Sequence, residues 1–391
     1  MFRVTVLAIY LLPTIYTFFR VKKLFTQALP KKLFTLIYIV LALGFPLAEF
    51  LSHQNNASWV KFFILLGYYS LPFLLYLFLL VLLLDILRGI NHPLKIVPVE
   101  IIRGRVFRVT TLWILFVFAA AVVIIGAVHM NTIRVKEYRV TVPRESGVIK
   151  HLKIALAADF HLGQMTHKRF MEKFTEKINS LNPDIVLIPG DIVEGHRNDG
   201  DMGEYERLFR QIKTKYGVYA SLGNHESHGR SSKLDFLAAS GIKVLADTFV
   251  VIDNSFILAG RKDRRSNHRK PLAELLAKAP GHLPVVVLDH RPTGLEQVSQ
   301  HGVDIQVSGH THNGQLFPLN LIIKQIYELG WGYKKIRDTH FFVTSGIQAW
   351  GPPVRTAGNS EIMVINVDFH PFGRTQFMRN VVMILMPHRP A

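Results

Sequence analysis

The stretch KIALAADFH, Lys153–His161, joins an apolar run of the kind found in buried strands to an Asp-x-His motif. A second run of the same form, DIVLIPGD at Asp184–Asp191, follows after the helix-like segment MEKFTEKINS at residues 171–180. Apolar strands that alternate with amphipathic helical segments at this spacing are typical of parallel sheets. The two runs therefore predict an α/β domain whose central strands are covered on both faces.

Polar side chains also end three apolar runs that come later in the chain. These are GVYASLG before Asn224-His225-Glu226, PVVVLD before His290, and DIQVSG before His310-Thr311-His312. Open α/β sheets place their sites at the carboxyl ends of their strands. We therefore expect the five strand ends to bring these Asp, His and Asn side chains into one site.

The residue types at the five strand ends match the ligands of two divalent cations. The chain has no cysteine, and carboxylates with imidazoles but no thiolate suit Mn²⁺, Fe²⁺/³⁺ or Zn²⁺ better than Ca²⁺. A cation pair needs a bridging carboxylate, for which Asp191 is the candidate. One site would combine Asp159, His161 and Asp191 with one histidine of the Gly-His-Thr-His turn, and the other would combine Asp191, Asn224 and His290 with the second histidine. His225 follows a candidate ligand and could protonate a leaving oxygen.

The ordered series Asp-x-His, Gly-Asp, Gly-Asn-His-Glu, His and Gly-His-Thr-His resembles the motif set of the calcineurin-like metallophosphoesterase superfamily. Gly-His-Thr-His-x-Gly-Gln and the later WGPPVR at Trp350–Arg355 resemble its membrane-associated bacterial phosphoesterase branch. The resemblance covers roughly residues 150–368. It implies a two-sheet β-sandwich flanked by helices, with a dinuclear metal centre.

The resemblance also implies a role for each motif residue. It places His312 with Asp159, His161 and Asp191, it places His310 with Asp191, Asn224 and His290, and it makes His225 the acid, held by Glu226. The chain departs from the branch at Asn313, where glycine is common, and at Gly260–Asp263, where a more acidic turn is usual. The second departure leaves the substrate class open, because Arg261, Lys262, Arg264 and Arg265 add positive charge near a site.

The N-terminal third of the chain has the composition of a membrane domain. Four apolar stretches stand out, at Val4–Phe19, Leu33–Leu51, Phe62–Leu84 and Leu112–Val128, and about 20 apolar residues cross a ~30 Å hydrocarbon core. The division that we predict is a transmembrane region of four helices at residues 1–130, a linker and first strand at 131–150, a metallophosphoesterase domain at 151–370 and a basic apolar tail at 371–391.

The loops between these stretches predict the orientation of the chain. Residues 1–130 contain 12 Lys and Arg against 3 Asp and Glu. Most of the cations lie in two loops, residues 20–32 and 85–111, and cation-rich short loops stay in the cytoplasm. The domain after the last stretch is then expected on the outer face of a bacterial cell membrane, as part of a multi-pass protein. Loss of the first span would leave this orientation unchanged.

Three further features have weaker signals. Arg355, on a loop stiffened by Trp and Pro, is a candidate for bidentate phosphate binding. The apolar stretch Leu316–Ile323 directly follows the metal-binding turn and could contact the bilayer or a substrate chain, or form an ordinary core helix. The tail QFMRNVVMILM could lie on the membrane surface or pack on the domain.

The combined prediction is a membrane-anchored dinuclear-metal phosphoesterase. It would hydrolyse a phosphoester or pyrophosphate bond by attack of metal-bound hydroxide, with a lipid-linked or envelope compound as the expected substrate. The alternative is a membrane receptor or scaffold that binds a ligand through an inactive phosphoesterase-like domain. The loss of a metal-binding residue from the motifs would indicate this alternative. A nuclease is suggested by the net charge of +18, but a basic groove interleaved with aromatic residues is missing, so no nucleic acid is expected. The sequence leaves the oligomeric state open.

Overall fold

The computed structural model describes residues 2–52, 58–163, 166–194, 201–227, 231–266 and 268–370. The chain forms two compact units. The helical unit contains Met1–Thr132 together with Ala349–Gly358, and the sheet unit contains Ile133–Gln348 together with Asn359–Ala391. The predicted tail at residues 371–391 lies outside the described residues.

Five helices form the main part of the helical unit. They are α1 (Phe2–Lys22), α2 (Ala28–Ser52), α3 (Ser58–Leu94), α4 (Val99–Arg103) and α5 (Arg105–Met130). Within the described residues, three stretches are long and apolar enough to cross a membrane: Ala28–Leu51, Val60–Leu94 and Arg105–Met130.

The predicted count of four membrane spans is therefore wrong by one. The first apolar stretch does form helix α1, but α1 is not among the three qualifying helices. Its apolar run lies between Arg3 and Arg20, so it is about 24 Å long at ~1.5 Å per residue and falls short of the ~30 Å core.

The sheet unit contains two mixed six-stranded sheets. The first sheet has the order β1 (Ile133–Val142), β12 (Ser360–Phe369), β2 (His151–Leu156), β3 (Ile185–Pro189), β4 (Val218–Ser221), β5 (Lys243–Val244). The second has the order β10 (Gly332–Ile336), β11 (Thr339–Val343), β9 (Ile305–Ser308), β8 (Val285–Leu288), β7 (Phe256–Gly260), β6 (Thr248–Ile252). Strands β2 to β5 are parallel, as are β7, β8, β9 and β11. Strand β1 pairs with β12 in parallel, so the segment predicted as linker and first strand supplies an edge of the first sheet.

Strand side chains alternate between two apolar layers because successive residues point to opposite faces of a sheet. Ile154 and Leu156 of β2 join Val286 and Ile305 of the second sheet in a core between the sheets. Ala155 of β2 instead joins the outer core. The helices of the sheet unit are α6 (Lys168–Leu181), α7 (Met202–Arg210), α8 (Asn224–Ser227), α9 (Ser231–Ala239), α10 (Leu272–Leu276), α11 (Leu295–Val298) and α12 (Leu319–Ile326).

Helices cover the outer faces of both sheets. Phe174 of α6 and Phe209 of α7 pack in the outer core of the first sheet. Leu275 of α10 and Leu295 of α11 pack in that of the second. The predicted α/β class, with a β-sandwich flanked by helices, is confirmed. This architecture places the carboxyl ends of β2, β3, β4, β8 and β9 at one edge of the sandwich, where the candidate ligands follow.

Candidate metal centre

The loops that carry the candidate ligands leave their strands through strained backbone. Five of the seven candidates have left-handed φ values, namely Asp159 at 55°, His161 at 44°, Asp191 at 53°, His310 at 71° and His312 at 50°. A non-glycine residue in this region costs on the order of 1–3 kcal/mol, and such residues cluster at ligand-binding sites. The fold therefore holds these side chains in positions that local backbone preference does not favour.

Two glycines allow backbone segments to approach the buried carboxylates. A Cβ atom at Gly223 would overlap the carboxylate of Asp191, and one at Gly309 would overlap that of Asp159. Gly223 and Gly309 precede Asn224 and His310. The glycines in both motifs thus bring the next candidate ligand to a carboxylate from another strand.

Asp159, His161 and His312 form one group of candidate ligands. One donor atom from each lies within 4.8 Å of the other two. The Nε2 atoms of His161 and His312 face each other at 3.1 Å, and Nε2 of His312 lies 3.8 Å from Oδ1 of Asp159. Nitrogen atoms that converge in this way fit a shared cation.

Asp191, His290 and His310 form a second group of the same kind. Nε2 of the fully buried His290 lies 3.0 Å from Oδ2 of Asp191, 3.2 Å from Oδ1 of Asn224 and 3.1 Å from Nδ1 of His310. Nδ1 of His290 donates to the carbonyl of Pro189 at 2.8 Å. This bond fixes the ring and leaves the Nε2 lone pair directed at the group, as in many metal sites.

The electrostatics of both groups favour cation binding. Burial raises the pKa of Asp159 to about 6, and the negative charge of nearby Asp191 adds to the rise although neighbouring imidazoles oppose it. Burial lowers the pKa of His310 to about 3, so its imidazole is neutral and can act as a ligand. Burial opposes protonation of His290, but the carboxylates of Asp191 and Asp159 outweigh this effect and raise the pKa of His290 to about 10. The two buried carboxylates thus attract positive charge, which a divalent cation would supply.

Asp191 also connects the second group to His161 and His225, because these three residues form a further cluster of donors. The backbone N–H of His225 donates to Oδ1 of Asp191 at 3.0 Å, and Nε2 of His225 lies 3.9 Å from Oδ2. The structure thus brings together all seven residues that the sequence offered as ligands, with His225 beside them. Their roles as ligands and acid stay predictions.

Glu194 is a site residue that the sequence reasoning missed. Its Oε2 atom lies 2.8 Å from Nδ1 of His161 and 2.7 Å from Nδ1 of His225. Burial raises the pKa of Glu194, but its hydrogen bonds with the two histidines outweigh this effect and lower the pKa to about 2. An ionised carboxylate therefore orients both rings. The sequence signal that could have identified Glu194 is its position three residues after the candidate ligand Asp191.

The expectation that Glu226 holds His225 is wrong. The Glu226 carboxylate is buried and accepts four backbone hydrogen bonds, from the N–H groups of Gly223, Asp191, Ile192 and Val193, at 2.6–2.9 Å. It ties the loop after β3 to the loop after β4. Glu226 thus positions the backbone of Asp191 and of Gly223, which precedes Asn224, while Glu194 contacts the imidazole of His225.

Comparisons with known proteins agree with this geometry. The family model described as calcineurin-like phosphoesterase matches residues 152–314. An uncharacterized metallophosphoesterase of Aquifex aeolicus is 30% identical over 257 residues, which are 63% of this chain and 97% of that protein. The chain belongs to the calcineurin-like metallophosphoesterase family. The resemblance seen in the motifs is thereby confirmed.

Longer relatives of this metallophosphoesterase are matched only in part. An uncharacterized metallophosphoesterase of Campylobacter jejuni is 32% identical over 252 residues, which are 61% of this chain and 64% of that protein. A Danio rerio protein described as a transmembrane protein with metallophosphoesterase domain is 27% identical over 281 residues, which are 67% of this chain and 63% of that protein. The chain therefore spans somewhat less than two thirds of the length of these two relatives.

Arg355 of the metallophosphoesterase lies in Ala349–Gly358, which belongs to the helical unit. Its side chain is fully buried, and its backbone N–H donates to the carbonyl of Gly126 at 2.9 Å. The hydroxyl of Thr356, in the same segment, forms a hydrogen bond with the hydroxyl of Tyr76 in α3. Phosphate binding by Arg355 stays a prediction.

The basic turn that follows β7 carries less free charge than the sequence suggested. Arg261 and Arg269 both pair with the buried Asp289, and Nζ of Lys262 lies 3.9 Å from Asp247. Arg264 and Arg265 are exposed. Part of the positive charge that leaves the substrate class open is therefore neutralised by buried carboxylates.

Proposed function

We propose that this protein is a membrane-anchored phosphoesterase with two metal cations, for which Mn²⁺, Zn²⁺ and Fe²⁺/³⁺ are the candidates. The observation that carries the proposal is the sharing of Asp191. Its carboxylate lies in one donor group with His290 and His310 and in another with His161 and His225. A bridging carboxylate between imidazole donors is what a cation pair ~3.5–4 Å apart requires.

The side chains of the site have different roles in hydrolysis, namely metal binding, proton donation and orientation of the proton donor. Asp159, His161, Asp191 and His312 would hold one cation, and Asp191, Asn224, His290 and His310 the other. When bound, such a pair polarises a phosphoryl oxygen and lowers the pKa of a water. His225 donates a proton to the departing oxygen as the phosphorus–oxygen bond breaks. Glu194 holds the ring of His225 through Nδ1 and leaves Nε2 for that transfer.

Membrane association follows from the three apolar helices, and the Danio rerio relative is itself described as a transmembrane protein. With α2, α3 and α5 as spans, the cation-rich segments before α2 and between α3 and α5 fall on the same side. The positive-inside rule makes that side cytoplasmic. The phosphoesterase domain after α5 is then on the outer face.

A lipid-linked phosphoester or pyrophosphate is the substrate class that we propose. Helix α12 follows the short 3₁₀ turn His312–Gly314 and has no buried residue. Leu321, Ile322 and Ile326 are 50%, 54% and 65% exposed. The hydroxyl of Thr311 donates to the carbonyl of Gly330, which fastens the segment after α12 to the turn. An exposed apolar helix next to a candidate ligand fits a hydrocarbon chain whose phosphate lies at the cations.

The test uses the purified full chain with phosphomonoester, phosphodiester and lipid-pyrophosphate substrates and several metals. We expect metal-dependent turnover and a higher kcat/KM for lipid-linked than for short-chain versions of one headgroup. Leu321→Ser and Ile322→Ser should reduce that preference, whereas Val148→Ser, at an exposed position in another segment, should not.

Equal kcat/KM values for both chain lengths would contradict the lipid-linked substrate and leave the phosphoesterase standing. Tight metal binding without turnover of any of these substrates would favour the inactive receptor or scaffold.

A further inference from the structure

A long apolar groove runs between α3 and α5 in the helical unit. Its volume is about 680 Å³, within the ~300–1,000 Å³ of ordinary ligand pockets. The lining includes Leu66, Ser70 and Phe73 of α3 and Ala120, Val123 and Ala127 of α5. We call this feature the α3–α5 groove.

The groove has a closed floor and an open side. Ser70 and Val123 form buried parts of the lining. Leu66, Ile124 and Val128 also line the groove, and they are 47%, 63% and 57% exposed. An occupant could therefore enter sideways from the hydrocarbon that surrounds a membrane-spanning helix.

The length of the groove matches one leaflet of a bilayer. Its α5 side runs from Ala120 to Asn131, which is ~16 Å at ~1.5 Å per residue. Half of a ~30 Å hydrocarbon core is ~15 Å. A hydrocarbon chain that extends from the membrane surface to the bilayer midplane would fill the groove along this length.

One end of the groove is polar. Asn131 and Thr132 line it there and are exposed. Asn131 donates through Nδ2 to the carbonyl of Ala127 at 2.9 Å, and Thr132 donates through Oγ1 to that of Val128 at 2.8 Å. These bonds use the donors, and both residues are exposed, so Oδ1 of Asn131 and Oγ1 of Thr132 remain available as hydrogen-bond acceptors. The rest of the lining is apolar apart from Ser70 and the half-buried Tyr69.

We propose that the α3–α5 groove binds one hydrocarbon chain of a membrane lipid, acyl or prenyl, with the lipid's polar headgroup beside Asn131 and Thr132. The small side chains of Ala120 and Ala127 leave the space that the chain fills, and an unfilled space would deprive the lining of its packing contacts. This inference requires that α3 and α5 span the membrane. It does not depend on phosphoesterase activity.

The test uses the full chain in phosphatidylcholine nanodiscs that contain a low mole fraction of phosphatidylcholine with a diazirine in one acyl chain. After photolysis, we expect peptides from the groove to carry most of the lipid adducts. Ala127→Phe fills the groove from its middle and should reduce these adducts at least fivefold. The control Ile125→Phe changes an exposed residue of α5 outside the groove lining and should leave them unchanged.

Ala120→Phe is a second variant that fills the groove from its inner end, and it keeps the test valid should Ala127→Phe fail to fold. Thermal unfolding identifies the variants that are folded. Adducts spread evenly over the exposed faces of α5 would overturn the proposal, as would adducts unchanged in the folded groove-filling variants. A dimeric protein in the nanodisc whose groove peptides carry no lipid adducts would overturn it too, since a second chain would then occupy the groove.

Discussion

Oε2 of Glu194 lies 2.7 Å from Nδ1 of His225, the candidate general acid. The same oxygen atom contacts His161, a candidate ligand, at 2.8 Å. One carboxylate therefore orients a ring that would bind metal and a ring that would transfer a proton. Partners of this kind outside the ligand shell fix the tautomer and direction of an imidazole.

Glu194→Gln should lower metal affinity or kcat by roughly 10–100-fold, because the neutral amide orients two imidazole rings less well than a carboxylate. Steady-state kinetics and metal analysis of the same preparation would measure both effects. Glu204→Gln is the matched control, since Glu204 pairs with Lys168 and Arg207 at the surface. Unchanged kcat and metal content in Glu194→Gln would contradict a role for Glu194 in orienting the two imidazole rings.

Asp191→Asn tests the proposed bridge. Loss of one carboxylate charge between the donor groups should weaken both cation sites and abolish measurable turnover. Metal content of the purified variant is the direct measurement. Asp235→Asn changes an exposed carboxylate of α9 and should retain both metals. Two tightly held cations and normal activity in Asp191→Asn would refute the assignment of Asp191.

The difference between Glu194 and Glu226 shows where sequence reasoning ends at this site. The strand ends were predictable because each apolar run stops at a polar motif. Glu226 follows His225 directly, but both lie in α8, where adjacent side chains do not face each other. The partner of His225 comes instead from the loop after β3, through a tertiary contact that no local pattern records.

In the membrane region, too, the sequence predicts the helices but not the tertiary contacts between them. The stretch that became α3 was uninterrupted and uncharged, so its apolar length alone predicted a span. The first stretch stops at Arg20, and Asp85, at the far end of α3, forms an ion pair with Arg20. The composition indicated that the first stretch is helical. It did not indicate that Arg20 at its end would form an ion pair with a residue of α3.

Orientation can be tested with single cysteines, because the natural chain has none. Lys334→Cys and Lys23→Cys place a thiol at exposed positions of the sheet unit and of the loop after α1. A membrane-impermeant maleimide added to intact cells should label residue 334 and should label residue 23 only after lysis. The reverse pattern would place the phosphoesterase domain in the cytoplasm.

Glu226 should matter for stability as well as for the site. Glu226→Ala leaves four backbone N–H groups without their acceptor, which should cost roughly 2–4 kcal/mol. Glu226→Gln keeps one acceptor oxygen and should cost less. Denaturant unfolding of both variants gives the ranking, and equal stability of Glu226→Ala and the natural protein would show that the two loops hold without this carboxylate.

The last prediction concerns the contact between α5 and Ala349–Gly358 within the helical unit. A Cβ atom at Gly126 would lie 2.5 Å from Cγ1 of Val354 and 2.8 Å from Cγ2 of Thr356. Gly126→Val should therefore displace this segment and lower the free energy of unfolding by about 2 kcal/mol. Gly89→Ala is the matched control in a membrane helix, because a Cβ atom there meets nothing within 4 Å; it should leave stability unchanged or raise it. Thermal unfolding in detergent and protease cleavage between residues 349 and 358 report the two effects separately. If Gly126→Val is as stable and as resistant to cleavage as Gly89→Ala, the close approach of this segment to α5 is not what holds it in place.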